Sequence, residues 1–221
     1  IAVSDEGSVF VGGDSADAGV IDGANNVARW DGQRWTVLGS GVNGTVRSLF
    51  VQGAEVYVGG AFTQAGQLAV MNFARWHDDL ATWAGLGAGT NNGVIGNILA
   101  LGGGGTSLYV AGLFTSPTSS NIVRNLGRFA FSHWETLGRG VSGRSVSGTI
   151  AAVAASPGAI YVGGSISLAG GQSVSNFAEW DGNAWGPLGA GVNSNVNAIA
   201  VNGLGEVIAG GDFTAAGGVA A

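Results

Sequence analysis

Val56-Tyr57-Val58-Gly59-Gly60, followed by Asn72-Phe73-Ala74-Arg75-Trp76, Trp83 and Leu86-Gly87, is the stretch from which the rest of the chain can be read. Val, Tyr and Phe pack well on a pleated surface, and paired glycines mark a place where the backbone turns or is closely approached. The stretch recurs. Val9-Phe10-Val11-Gly12-Gly13, Leu108-Tyr109-Val110-Ala111-Gly112, Ile160-Tyr161-Val162-Gly163-Gly164 and Val207-Ile208-Ala209-Gly210-Gly211 repeat its opening. The first glycine, or its alanine substitute, falls at 12, 59, 111, 163 and 210, giving periods of 47, 52, 52 and 47 residues.

Every period divides in the same way. An apolar run such as Val46 to Val51 or Val196 to Val201 precedes the glycine-ended strand. A connector leads from that strand to Asn26 to Trp30, Asn72 to Trp76, Asn125 to Phe129 or Asn176 to Trp180. After a tight turn, made by Asp31-Gly32 and Asp181-Gly182 in two copies, comes Trp-x-x-Leu-Gly at Trp35, Trp83, Trp134 and Trp185. Four short strands per period and no sustained helical periodicity predict an all-β chain of four-stranded antiparallel sheets. Units of this length and strand count suit a β-propeller, read here as one domain over residues 1–221. A parallel β-helix ranks second, because Trp-Asp-Gly-x-x-Trp suits a hairpin and not a coil. The glycine pairs would let aromatic rings of the adjacent blade rest on bare backbone.

Composition agrees with a folded chain. Glycine is abundant, at 43 of 221 residues, yet 46% of the chain is hydrophobic and seven residues are tryptophan. That is enough apolar surface to drive folding. The net charge of −6 repels phosphate backbones, so nucleic acid is not an expected partner. No apolar run approaches the roughly 18 residues of a spanning helix, and membrane insertion by this segment is not expected. Without cysteine there is no disulfide or thiolate metal site.

Val58-Gly59-Gly60-Ala61-Phe62-Thr63-Gln64-Ala65-Gly66, continuing through Asn72 to Trp76, resembles the kelch-type propeller blade. It is more similar still to repeats of bacterial secreted or surface proteins and of fungal cortical polarity-marker proteins. The resemblance covers essentially the whole chain. It implies an extracellular or cell-surface propeller acting as an interaction or structural module. The copies are uneven: Phe62-Thr63, Phe114-Thr115 and Phe213-Thr214 keep a Phe-Thr pair that Ser15-Ala16 and Ile166-Ser167 replace. Counted as blades, the chain holds four complete repeats and a half. Further blades outside this numbering, or self-association, are expected to cover the open edge strands.

Strand direction alternates within a blade, so the connectors after Gly-Gly and after Leu-Gly share one face and the short turns share the other. Length variation concentrates on the first face, which makes it the expected binding surface for a protein or glycan partner. Its candidate residues are Asn43, Asn91, Asn92, Arg144, Asn193 and Asn195, although Asn and Gly in such connectors also simply make turns. The recurring Asn26, Asn72, Asn125 and Asn176 are read as binding connector backbone. Arg29, Arg75, Arg128 and Glu179 occupy one repeat position, facing a neighbouring blade or lining a surface. The tryptophans are read as packing between blades.

Catalytic groups are not suggested, and no cofactor or metal is expected. His77 and His133 sit at short turns without ligand-spaced partners. Gly102-Gly103-Gly104-Gly105-Thr106-Ser107 lacks the Gly-Lys-Ser/Thr ending of a phosphate loop and reads as a turn. Asp14 and Asp212 hold matching positions after Gly-Gly, weak grounds for calcium. Asn43-Gly44-Thr45 fits a glycosylation acceptor. The expected function is a non-enzymatic extracellular interaction module. The alternatives are a carbohydrate-binding propeller, and part of a propeller enzyme (hydrolase or oxidase) completed outside this chain.

Overall fold

The computed structural model describes residues 1–15, 23–86, 92–104, 106–116, 123–130, 133–137 and 146–221. Among these there is no helix, and so none long and apolar enough to cross a membrane. The strands are antiparallel and follow the repeat. They fall into two compact units, Ile1–Ile98 and Leu99–Ala221.

In the first unit one sheet runs Ala2–Val3, Val9–Gly12, Val27–Trp30, Trp35–Val37, in chain order. A second runs Thr45–Gln52, Glu55–Ala61, Phe73–His77, Thr82–Gly85 in the same order. The connector between its middle strands folds a small ribbon, Gln64–Ala65 with Leu68–Ala69. Phe10, Val27, Leu38, Val46, Val56, Val58 and Trp76 are buried together in one core. Val56 and Val58 are wholly buried while Tyr57 between them is half-buried, so both faces of the second strand are covered.

The second unit repeats the plan. Ser107–Thr115, Arg124–Ala130 and His133–Glu135 continue a sheet begun by Ile95–Gly104. Val146–Ser156, Ala159–Ala169, Phe177–Trp180 and Trp185–Pro187 form the next, with Gln172–Ser173 folded back on Ala159–Ala169. Val196–Val201 pairs with Val207–Gly211 as a half repeat, followed by the ribbon Ala215–Ala216 and Val219–Ala220.

The glycine pair has two separate reasons. A Cβ on Gly12 would overlap Val46 Cγ1, and Leu49 Cδ1 would lie 3.3 Å away. On Gly163 it would lie 2.5 Å from Val196 Cγ1 and 3.1 Å from Ile199 Cδ1. The first glycine therefore receives aliphatic side chains of the next repeat's first strand, not the aromatic rings expected from the sequence. The second glycine sits at a bulge. The register slips between Val46 and Ser48, Ile150 and Ala152, and Val196 and Ala198, opposite Gly60, Gly164 and Gly211. There a Cβ would strike the carbonyl oxygen of Thr45, Thr149 or Asn195.

The aromatic rings instead meet across the third and fourth strands of each sheet. Trp30–Trp35, Trp76–Trp83, Phe129–Trp134 and Trp180–Trp185 have centroids 5.5, 5.3, 5.3 and 5.6 Å apart. The indoles also reach back one repeat. Trp83 Nε1 donates to the Leu38 carbonyl at 2.9 Å, and Trp185 Nε1 to the Leu137 carbonyl at 3.2 Å. Trp83 rests against Gly39 and Gly66, both in the left-handed region at φ 60° and 59°. These bonds link Trp-x-x-Leu-Gly of one repeat to that of the next, so Trp83 and Trp185 pack between repeats, while the ring pairs lie within single sheets.

One local expectation changes. Gly102 to Gly104 lie in the strand Ile95–Gly104, not in a turn. A Cβ on Gly102 would come 2.6 Å from the Val153 carbonyl, so close backbone approach accounts for glycine there.

Candidate functional site

In each unit the face built by the long connectors carries asparagines of two sets. The first set lies at the start of the third strands. Asn26, Asn72, Asn125 and Asn176 have φ of 70°, 62°, 64° and 63°, the left-handed region that asparagine tolerates better than other side-chain-bearing residues. From that conformation Asn26 Oδ1 accepts the Ser15 N–H at 3.0 Å while Nδ2 donates to the Val42 carbonyl at 2.8 Å. Asn72 does the same with the Phe62 N–H at 3.1 Å and the Val94 carbonyl at 3.0 Å. Asn176 Nδ2 reaches the Val192 carbonyl at 3.0 Å. The amides of Asn26, Asn72 and Asn176 thus tie the connector after Gly-Gly, or the connector after Leu-Gly, to the start of the third strand. This is the backbone role read from the sequence.

The second set lies in the connectors after Leu-Gly. Asn43 Oδ1 accepts the Thr63 and Gln64 N–H groups at 2.8 and 2.9 Å, and Nδ2 donates to Thr63 Oγ1 at 2.9 Å. Asn193 makes the equivalent bonds to Thr214 N, Ala215 N and Thr214 Oγ1 at 2.9, 3.0 and 3.1 Å. The Phe-Thr pair is thereby explained: Phe62 and Phe114 are buried, and in two copies the threonine is the partner of the preceding connector's asparagine. The Asn43 amide nitrogen is committed to Thr63.

The remaining candidates are placed differently. The Asn92 backbone carbonyl accepts the Met71 N–H at 3.0 Å, and a Cβ on Gly85 would lie 2.6 Å from Asn92 Cγ. Asn195 Nδ2 donates to Asn197 Oδ1, whose own Nδ2 donates to Asp212 Oδ1 at 3.1 Å. Asn91 and Arg144 lie outside the described residues. Asn43 and Asn92 therefore belong to the first unit, and Asn193 and Asn195 to the second.

The opposite face carries the short turns. Asp31 accepts the Gln33 and Arg34 N–H groups, both at 2.9 Å, and Asp181 those of Asn183 and Ala184 at 2.8 and 2.7 Å. The backbone N–H of Arg34, then that of Gln33, hold the Asp31 carboxyl below its usual pKa; Ala184, then Asn183, do so at Asp181. Arg29 Nη1 crosses to Asp78 of the next repeat at 2.7 Å, and Trp76 Nε1 donates to the same carboxylate at 3.0 Å. Arg75 and Arg128 stay within their own sheets, 3.3 Å from Glu55 and 3.2 Å from Glu135. The single repeat position thus has two uses.

His77 and His133 lie beside Glu55 and Glu135 at 3.9 and 3.0 Å. Among the described residues, no three His, Cys, Asp or Glu are grouped to hold a metal ion. A cavity of about 230 Å³ on this side is lined by Ser4, Asp5, Glu6, Arg29, Asp78 and Asp79 among others. No signal in the sequence pointed to that cavity.

No family model matches the chain, and no curated protein matches it. Among solved structures it is similar to YCF48 bound to D1 peptide, at 14% identity and a TM-score of 0.53. That alignment covers 93% of this chain and 57% of the YCF48 chain, so the present chain spans little more than half of that structure's length. It is also aligned with the computationally designed Ika4 protein, at 15% identity and a TM-score of 0.45, over 76% of this chain and 92% of that one. At such identity the first likeness shows the fold alone. The class it defines is an all-β, antiparallel, propeller-like repeat protein.

Proposed function

We propose that the chain is a kelch-type propeller segment acting outside the cell or at its surface as a non-enzymatic interaction module. Its partner is a protein, received on the long-connector face. The observation that carries this reading is the pair of asparagine sets. They fix connector backbones of unequal length to a regular scaffold, which is how binding loops are presented on a rigid frame. The solved YCF48 structure holds a peptide, which supports a polypeptide partner over a small ligand.

The test is selection of peptide binders to the purified chain from a displayed library, followed by mapping. Gln67→Arg and Asn195→Arg place a bulky charge on the connector face of each unit. Asp79→Arg does so on the short-turn face. The reading expects one of the connector variants to weaken each selected peptide by about tenfold or more, since a charge buried at an interface without a partner costs more than about 1.4 kcal/mol. Loss on Asp79→Arg alone, or binding of glycans with no peptide selected, would refute it.

A further inference from the structure

Beside the third-strand asparagines the backbone holds two outward-facing positions together. One is the residue just before the asparagine: Asn25, Met71 or Ser175. The other follows the Gly-Val of the connector after Leu-Gly: Asn43, Ile95 or Asn193. The joint is the same in all three places. The N–H of Val42, Val94 or Val192 donates to the carbonyl of Asn25, Met71 or Ser175 at 2.9, 2.8 and 2.9 Å, and these valines are buried.

In two of the joints both positions are polar, Asn25 with Asn43 and Ser175 with Asn193. Their sequence counterparts Arg124 and Ser142 are polar as well. Met71 and Ile95 are both apolar, and they are 43% and 61% exposed.

Isoleucine is a poor choice here on structural grounds. Asn43 and Asn193 each make three bonds to the connector that follows. The Phe-Thr pair that receives such bonds recurs after Ile95, as Phe114-Thr115. Isoleucine cannot make them, and it leaves an apolar side chain in water. A residue that breaks a local rule at a cost to stability is expected where function, not folding, sets the choice.

The two side chains are also held in place. Met71 N–H donates to the Asn92 carbonyl at 3.0 Å, and Met71 stands opposite Gly93 in a parallel bridge. A Cβ on Gly93 would strike the Met71 carbonyl oxygen, so glycine, with no side chain of its own, stands there between Met71 and Ile95. Charge sets the class of occupant. The connectors joined here, residues 38–45, 61–73 and 92–95, contain no Asp, Glu, Lys, Arg or His. A charged group would lose hydration and meet no counter-charge, whereas a large apolar side chain gains by covering Met71 and Ile95. The flexible thioether of Met71 adapts to its shape.

We propose that Met71 and Ile95 form the anchoring point, on the connector face of the first unit, for a large apolar side chain (Leu, Met or Phe) of the peptide partner. This inference rests on the reading of that face as a peptide-binding surface.

The probe is the set of displayed peptides selected on the intact chain and weakened by Gln67→Arg. They should share a large apolar residue, and replacing it by asparagine in a synthetic peptide should weaken binding about tenfold. Ile95→Asn and Met71→Ser install residues found at the matching positions, so the melting temperature should hold or rise. Each should weaken the same peptides about tenfold, while Ile95→Leu stays within about twofold of the wild type. In the double variant, replacing the apolar residue of the peptide should cost nothing further. Peptides weakened by Gln67→Arg yet indifferent to Ile95→Asn and Met71→Ser would overturn the anchor and leave the peptide-binding face standing. Equal loss on Ile95→Leu, or peptides that respond to Asn195→Arg alone, would do the same. Peptides indifferent to both arginine variants would overturn the face as well. Self-association of the wild-type chain that Ile95→Asn abolishes would seat a second copy there and overturn the peptide assignment.

Discussion

Replacing Asn72 by alanine and by glycine separates the two roles assigned to the third-strand asparagines. Asn72 sits at φ 62°, and its amide bonds the Phe62 N–H and the Val94 carbonyl at 3.1 and 3.0 Å. Alanine removes both bonds at a part-buried site, at about 1 kcal/mol each. It also forces a Cβ-bearing residue with no local hydrogen bond into the left-handed region, at a further 1 kcal/mol or so. The expected loss for Asn72→Ala is therefore about 3 kcal/mol. Glycine loses the same bonds without the steric cost, so Asn72→Gly should lose about 2 kcal/mol. Urea unfolding followed by tryptophan fluorescence reads both values. If alanine costs under about 0.5 kcal/mol, or glycine as much as alanine, the reasoning fails.

Three further outcomes follow from the same geometry. Gly12→Val would drive a side chain into Val46 and Leu49, and should destabilise by about 1–3 kcal/mol in a thermal melt; a neutral result would remove the close-packing account of the glycine pair. Trp83→Phe keeps a ring but deletes the donor to Leu38, with an expected cost of about 1 kcal/mol beyond that of the same change at Trp30, for which no described partner accepts the indole N–H. Asp31 and Asp181 have folded pKa values below those of the unfolded chain. Their contribution is therefore complete above the ordinary aspartate pKa of about 3.9 and lost as pH falls through the lower folded value. The melting-temperature gap between the wild type and the Asp31→Asn, Asp181→Asn double variant should be constant near neutrality and close on acidification. A gap that widens toward acid would contradict the assignment.

Much of the fold was legible because the repeat combines short-range signals with a fixed period. The Val56 to Gly60 strand, the Asp31-Gly32 turn and the Trp83 strand each have local causes in pleating, turn chemistry and aromatic pairing. The partner of the glycine pair was not legible. Val46 and Leu49 reach Gly12 across repeats, and no local pattern states which side chain fills a missing Cβ. The connector face was placed by strand alternation alone, but the work of its asparagines needed geometry. Asn43 and Thr63 are 20 residues apart and meet only when one connector lies against the next. A signal for that pair did exist in the sequence. Leu-Gly-x-Gly-Val is followed by Asn43 or Asn193 where the next connector has Phe-Thr, and by Ser142 where it has Ile166-Ser167. The short-turn cavity left no comparable mark, since Asp5 and Glu6 meet Asp79 only across two neighbouring sheets.

The account rests on the fourth-strand indoles of Trp83 and Trp185 docking onto the leucine corner of the repeat before each. Nuclear Overhauser spectroscopy of the labelled chain tests this directly. The Trp83 indole N–H should give cross-peaks to Leu38 and Gly39, and that of Trp185 to Leu137, with both protons exchanging slowly. Indole protons that exchange at the solvent rate and show contacts only within their own repeat would contradict it.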